Sequence, residues 1–333
     1  MKVGLRNTIV TLIYLAKFAG DKLMLIGKIL KQRYEIIEAI GSGAFGNTYT
    51  AVDRDFPGLP HRVVKHLCPT HNDPTSLTIA KKLFATEAIC LSKLGEYSQI
   101  PRLFSYFEED NEFYLVQELV EGHELTQEFQ PGKKWSESET VNFLIELLSI
   151  LSVVHQNNTI HRDIKPANIM RRQDDGKLVL IDFGAVKEVM TVDKNGQTTI
   201  GIGTPAYMPP EQAVGNPQKC SDIYAVGMIG IQALTGLAAN DLPLDSEGLR
   251  CIWQDSRIEA SSKLKSILEK MVSFQWKQRY VDAESALEAF TPLNSDRRII
   301  PLQYKKKILL FLLTALGLTG AGIATQAYLA RPD

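Results

Sequence analysis

The amino-acid sequence predicts an α+β protein: a small β-rich N-terminal part, a larger helical part, and one transmembrane helix near the C-terminal end. Three observations predict it. Strand-like segments crowd the first third, at Tyr34–Ile40, Asn47–Asp53, Arg62–Lys65, Leu103–Phe107 and Glu112–Gln117. Helix-period stripes follow, led by Leu144, Leu147, Leu148, Leu151 and His155, with further helices starting near Asp222 and over Ser261–Met271 and Asp282–Phe290. Lastly, Ile308–Ala330 carries no charge at all.

At 333 residues the chain is long enough for one two-lobed domain, or two small ones, with a sizeable core. A formal charge of -1 gives no reason to expect nucleic acid. Cys68, Cys90, Cys220 and Cys251 are scattered without a C-x-x-C pair, which reads as free thiols in a reducing compartment.

In chain order, the first strand runs into Gly41-Ser42-Gly43-Ala44-Phe45-Gly46. Glycines at these three places let a hairpin lie close over phosphates with its N–H groups free to point at them. The same spacing opens dinucleotide-binding folds, but there a helix follows the glycines. Here Asn47-Thr48-Tyr49-Thr50-Ala51-Val52 follows, a strand by its β-branched and aromatic content. Lys65 ends a β-branched strand and can reach phosphates if a carboxylate aims it; alone it would be a solvated lysine. Thr75–Leu94 reads as a helix with Leu83, Glu87, Cys90, Leu91 and Leu94 on one stripe. A carboxylate on an apolar stripe needs a cation, and Lys65 is the candidate for Glu87.

Ser136 to Glu139 is a capping-box pattern that opens the next helix. That helix delivers His161-Arg162-Asp163-Ile164-Lys165-Pro166-Ala167-Asn168, and the short strand Val179–Ile181 precedes Asp182-Phe183-Gly184. A run of charged and polar groups held between apolar segments is hard to explain by packing. Phosphoryl transfer needs such a set: an Asp for the attacking hydroxyl, a Lys for the moving charge, an Asn for a metal.

With H-R-D-x-x-x-x-N complete and D-F-G behind it, the sequence resembles the eukaryotic-type serine/threonine protein kinases, the cyanobacterial branch especially, over about residues 30–290. The resemblance implies a bilobal protein kinase-like fold, with a kinase domain over 24–290, an N-lobe over about 34–117 and a C-lobe over about 121–290. It implies ATP as donor and Mg²⁺, or Mn²⁺ in its place. Asp163, Lys165 and Asn168 would be catalytic, and Asn168 and Asp182 would hold the metal. Gly41, Ser42, Gly43, Ala44, Phe45 and Gly46 would cover the phosphates, with Lys65 gripping them and Glu87 aiming it. Backbone groups of Glu118 and Val120 would meet the adenine edge, with Gln117 as gatekeeper. Lys165 points to Ser/Thr acceptors on protein substrates. His161 would support the loop, Asp222 would brace its backbone, and Arg279 would pair with Glu211. Arg162 would meet a phosphate on the activation segment, where Thr191, Thr198, Thr199 and Thr204 are available. Thr198 or Thr199 is the expected autophosphorylation site, Thr204 keeping its hydroxyl for Asp163 and Lys165. Two positions depart from the family: Thr48 stands where Val is usual, and Pro209-Pro210-Glu211 replaces A-P-E.

Residues 1–23 place Ile9, Leu12, Ile13 and Ala16 at helical spacing among Lys2, Arg6 and Lys17. They read as an extension of the kinase domain, upstream of a start at Met24, in preference to a membrane-surface helix or a signal peptide. At the other end, residues 291–307 form a basic juxtamembrane linker. Residues 308–330 would then cover about 30 Å as a helix, enough for a bilayer core. The basic excess on its inner side predicts a single-pass membrane protein with a cytoplasmic kinase domain. Gly317, Gly320, Ala321 and Gly322 offer a face for helix pairing, hence a homodimer. Arg331-Pro332-Asp333 is too short to bind an outside signal. Two other readings are a pseudokinase membrane scaffold and a small-molecule kinase of related fold.

Overall fold

Alternating β-branched and aromatic residues between positions 29 and 118 build a six-stranded antiparallel sheet. The computed structural model describes residues 25–43, 46–68, 74–183, 191–192, 198–199, 205–243 and 258–293. The expectations for residues 1–23, Ala44, Phe45, Thr204, Cys251, the linker beyond residue 293 and the 308–330 helix lie outside those residues. The strands are β1 (Ile29–Leu30), β2 (Tyr34–Gly43), β3 (Gly46–Asp53), β4 (His61–Leu67), β5 (Leu103–Glu109) and β6 (Glu112–Glu118), in the order β1-β2-β3-β4-β6-β5. The sequence ended β2 at Ile40. In the structure its pairing with β3 continues to Gly43 opposite Gly46, so the glycines form the tip of a hairpin. Gly46 is required there: a Cβ would lie 1.9 Å from the His66 carbonyl oxygen.

Strand alternation sorts the side chains onto two faces. Tyr34, Ile36, Tyr49, Ala51, Val64, Tyr114 and Val116 close a core with Leu25, Leu30 and Phe107. Lys65 lies opposite Thr48 and Leu115, and Val63 opposite Thr50 and Gln117, all on the other face. Against this sheet packs α1 (Pro74–Leu94), which buries Leu83, Phe84, Glu87, Ala88, Leu91 and Leu94. Cys90, expected on the same stripe, is half-buried.

The larger part is organised around α2 (Glu137–Gln156). Its capping box is complete: Glu139 N–H donates to Ser136 Oγ at 3.2 Å, and Ser136 N–H to the Glu139 carboxylate at 2.8 Å. Among the described residues α2 is the one helix long and apolar enough to cross a membrane. With 67% of its apolar window buried, it is a core helix. A three-stranded sheet, β7 (Gly122–Glu124), β8 (Ile169–Arg172) and β9 (Leu178–Leu180), holds the loop that follows α2. After β10 (Thr191–Val192) and β11 (Thr198–Thr199) come α3 (Pro210–Ala213), α4 (Lys219–Thr235), α5 (Ser262–Met271) and α6 (Ala283–Phe290). α4 is buried along nearly its whole length. Its Gly227 allows α5 to approach, since a Cβ would come within 2.8 Å of Met271 Cβ.

The expected partner of Glu211 is in place. Arg279 Nη1 and Nη2 donate to its two oxygens at 2.7 and 3.1 Å, and both residues are buried. Ser221 Oγ–H also donates to Glu211, and the remaining Arg279 donors go to the carbonyls of Ser273, Phe274 and Cys220. A buried pair this fully hydrogen-bonded fixes geometry, and breaking it strands a charge. Arg279→Met is therefore expected to lower unfolding stability by about 3 kcal/mol in denaturant titration.

Candidate active site

β4 and α1 between them aim one ammonium group into the cleft. Lys65 Nζ lies 2.5 Å from Glu87 Oε1 and 2.7 Å from Asp182 Oδ1. Glu87 is almost wholly buried, while the Asp182 side chain is about half exposed, at 47%. Burial alone would lower the Lys65 pKa, but the charges of Asp182 and Glu87 outweigh it and hold it above the ordinary lysine value. The Lys65 ammonium holds Asp182 below the usual carboxylate range. Burial pushes Glu87 up, and Lys65 offsets this only in part. One ammonium thus serves two acids, and the trio is left net negative.

The loop between α2 and β8 is fixed by a single carboxylate. Asp222, in the first turns of α4, accepts the main-chain N–H groups of His161 and Arg162 at 2.9 and 2.8 Å. His155 Nε2 lies 3.0 Å from the same carboxylate, and His155 Nδ1 accepts Ala283 N–H, so the His155 proton sits on Nε2 and is donated to Asp222. Burial would raise the Asp222 pKa; these hydrogen bonds keep it below the usual carboxylate range. Arg162 has φ +68°, left-handed for a non-glycine residue, and its carbonyl accepts Gln212 Nε2 from α3 at 2.6 Å. His161 supports the loop, as expected. Its Nδ1 accepts Asp163 N–H, its Nε2–H donates to the Ile181 carbonyl at 3.1 Å, and its ring contacts Phe183.

Further along the loop, Lys165 Nζ stands 3.2 Å from Asp163 Oδ2. Asn168 Nδ2 donates to the Asp163 carbonyl at 2.8 Å, which leaves its Oδ1 as a ligand atom. Ile181 N–H turns to the Asn168 carbonyl at 3.0 Å, so β9 stops at Leu180 and Asp182 adopts φ +60°. Asn168 and Asp182 are thereby tethered to each other through the main chain.

These residues fit Mg²⁺ and a polyphosphate. The donors are hard oxygens, the Asp182 carboxylate and the Asn168 amide. No cluster of three or more His, Cys, Asp or Glu suited to a metal occurs among the described residues. An ion held here would draw most of its coordination from phosphate and water, which is magnesium's habit. On β2, Gly41 pairs with Thr48, whose Cβ lies 3.8 Å from where a Gly41 Cβ would stand. Glu118, at the end of β6, donates its N–H to the Arg102 carbonyl, which leaves a ligand only its carbonyl side.

A family model described as "Protein kinase domain" matches residues 34–290. The chain belongs to the protein kinase family. It is 42% identical over 267 residues to "Serine/threonine-protein kinase B" of Synechocystis, covering 78% of this chain and 46% of that one. It is likewise 42% identical to "Serine/threonine-protein kinase PknA" of Nostoc, covering 79% and 47%. The chain therefore spans about half the length of the curated relatives it matches. The solved structure "PpkA-294 apo form" shares the fold with a TM-score of 0.63 at 22% identity, covering 79% of this chain and 98% of that one.

The kinase domain also uses residues that sequence reasoning passed over. His155 appeared only as the end of an apolar stripe, and Ser221 and Gln212 had no assigned role. The available signal for His155 was a ring ending an otherwise apolar stripe, which needs polar partners once buried.

Burial lowers the His161 pKa from its ordinary value of about 6.5, against the pull of Asp222, Asp163 and Asp182. The folded protein keeps the ring neutral while the unfolded chain takes up a proton below about pH 6.5, so this stability is full above that pH and is lost as pH falls beneath it. Unfolding titrations at pH 7.5 and 5.5 should show a smaller acid-side loss for His161→Asn than for wild type.

Proposed function

We propose that this chain transfers the γ-phosphoryl group of ATP to serine and threonine hydroxyls of protein substrates. The carrying observation is the Lys65 ammonium held between Glu87 and Asp182, with Asp163, Lys165 and Asn168 assembled beneath. A pseudokinase scaffold has no need of this filled set, and the reading as an active enzyme is favoured. Gly41 to Gly46 cover the phosphates, and the backbones of Glu118 and Val120 meet the adenine edge. Asn168 and Asp182 hold Mg²⁺, which supplies charge neutralisation at the transferring group when bound. Asp163 orients the acceptor hydroxyl and takes its proton, while Lys165, close to Asp163, steadies the charge on the moving phosphoryl group. Lys65 grips the nucleotide phosphates, and Glu87 keeps it aimed.

Asp163→Asn is expected to lower transfer to a generic protein substrate by about 10³-fold while Mg²⁺–ADP binding is retained. In the same experiment, phosphopeptide mapping after incubation with Mg²⁺–ATP should find Thr198 or Thr199 modified in wild type and unmodified in the variant. A phosphate there would order its segment through Arg162. Retention of most activity by Asp163→Asn would contradict the assigned role.

The uncharged stretch 308–330, with Lys305-Lys306-Lys307 before it, anchors the kinase domain on the cytoplasmic side of a membrane, and its small-residue face supports a homodimer. Full-length protein should sediment with membranes and resist carbonate extraction. A chain ending at residue 307 should be released, and equal retention of both would refute the anchor.

A further inference from the structure

The peptide that joins Arg162 to Asp163 is held at both of its polar groups. Gln212 Nε2 donates to the Arg162 carbonyl at 2.6 Å, and Asp163 N–H donates to His161 Nδ1 at 3.3 Å. The first contact is short and the second long for bonds of this kind. On the near side of Arg162, Asp222 takes the N–H at 2.8 Å, and φ is +68°. Asp222 therefore sets where the chain enters this turn, while Gln212 sets the plane from which the Asp163 side chain departs. A tilt of roughly 20° in that plane would carry the Asp163 carboxylate by about 1 Å, and misplacement on that scale costs up to about 10²-fold in rate.

Gln212 is placed to resist such a tilt. It stands in α3, one residue after Glu211, which Arg279 and Ser221 grip. Its own N–H turns back to the Pro209 carbonyl at 3.1 Å, and its carbonyl accepts Gly215 N–H at 3.0 Å. The backbone that carries the amide is thus fixed on both sides. Gln212 also lines one small cavity together with Asp163, Lys165, Tyr207 and Met208, so it stands where the loop meets the residues before α3. Packing alone does not call for an amide here, since methionine has nearly the same length and offers no donor.

We propose that Gln212 is a positioning residue for phosphoryl transfer: its amide N–H fixes the Arg162–Asp163 peptide and through it the aim of the Asp163 carboxylate. The inference rests on the role given to Asp163 above and adds a residue to it. It makes the anchored end of the segment between Asp182 and Glu211 a part of the aiming of Asp163. Gln212 touches no reacting atom and acts through the main chain, so its loss should slow turnover and leave nucleotide binding alone. The Arg162 carbonyl needs a donor at this place. A carboxylate of the same shape should therefore be worse than an apolar side chain, and a different donor better.

The test is steady-state transfer from Mg²⁺–ATP to a generic protein substrate by the full-length chain, as wild type, Gln212→Met, Gln212→Glu and Gln212→Lys. Calorimetric binding of Mg²⁺–ADP and the melting temperature are measured for each. Gln212→Met is expected to lower kcat about tenfold and Gln212→Glu about 10²-fold, with both KM values and the ADP affinity within about twofold of wild type. Gln212→Lys should recover most of what Gln212→Met loses. Should the Met variant not fold, the Glu and Lys variants carry the comparison, since one lacks a donor and the other has one. Wild-type kcat in the folded Met and Glu variants overturns the role of Gln212 and leaves the kinase reading standing. Equal losses in all three variants overturn it too, because the donor would then not matter. A rise in KM for the protein substrate at unchanged kcat does the same, since it marks a direct substrate contact. So does a joint fall in kcat, ADP affinity and melting temperature, which marks a merely structural residue. Wild type showing no transfer would remove the kinase reading itself, and this assignment with it.

Discussion

Lys65 stands between two carboxylates contributed by distant parts of the chain, Glu87 on α1 and Asp182 just after β9. The rest of the cleft depends on that contact. It sets the position of α1 against β4, and it joins the small lobe to the strand-and-loop unit of the larger one. Buried ion pairs are poor sources of stability, because desolvation offsets much of the attraction. This trio is better understood as a geometric device. It leaves one carboxylate charge in excess at the place where a divalent cation and phosphates would bring the opposite charges.

A second layer of constraint lies below. Asp222 is a carboxylate from a core helix that accepts two main-chain N–H groups and the His155 ring N–H. It holds Arg162 in a left-handed conformation that a free loop would avoid. Through Gln212 the same residue is tied to α3, and through Glu211 that helix is tied to Arg279. The loop carrying Asp163 is thus positioned by groups that never touch a reacting atom.

How far the sequence revealed this varied with the kind of interaction. Strands β3 to β6 were readable because one face is buried and the period is two. The Lys65–Glu87 contact was readable because an acid on an apolar stripe must find a cation. The short strands β7 and β8 were not, being three and four residues long, with Arg171 and Arg172 in the second. Arg171 is neutralised by Glu128 and Arg172 by Asp175, partners that no periodicity reveals. The Arg33–Asp53 pair in the small lobe was equally hidden, since Asp53 reads as a strand-ending turn residue yet is wholly buried. Asp182 as a second partner of Lys65, 117 positions away, was not foreseen, since the family resemblance gave it only as a metal ligand.

The Glu211–Arg279 clamp has a consequence for the residues that precede it. Phe183 is packed on His161 at one end of that stretch and Glu211 is gripped at the other. A segment whose two ends are already held has had its closure entropy met by the folding of everything else. A choice of path then costs only local torsional freedom, so one added charge pair of modest strength would be enough to make it.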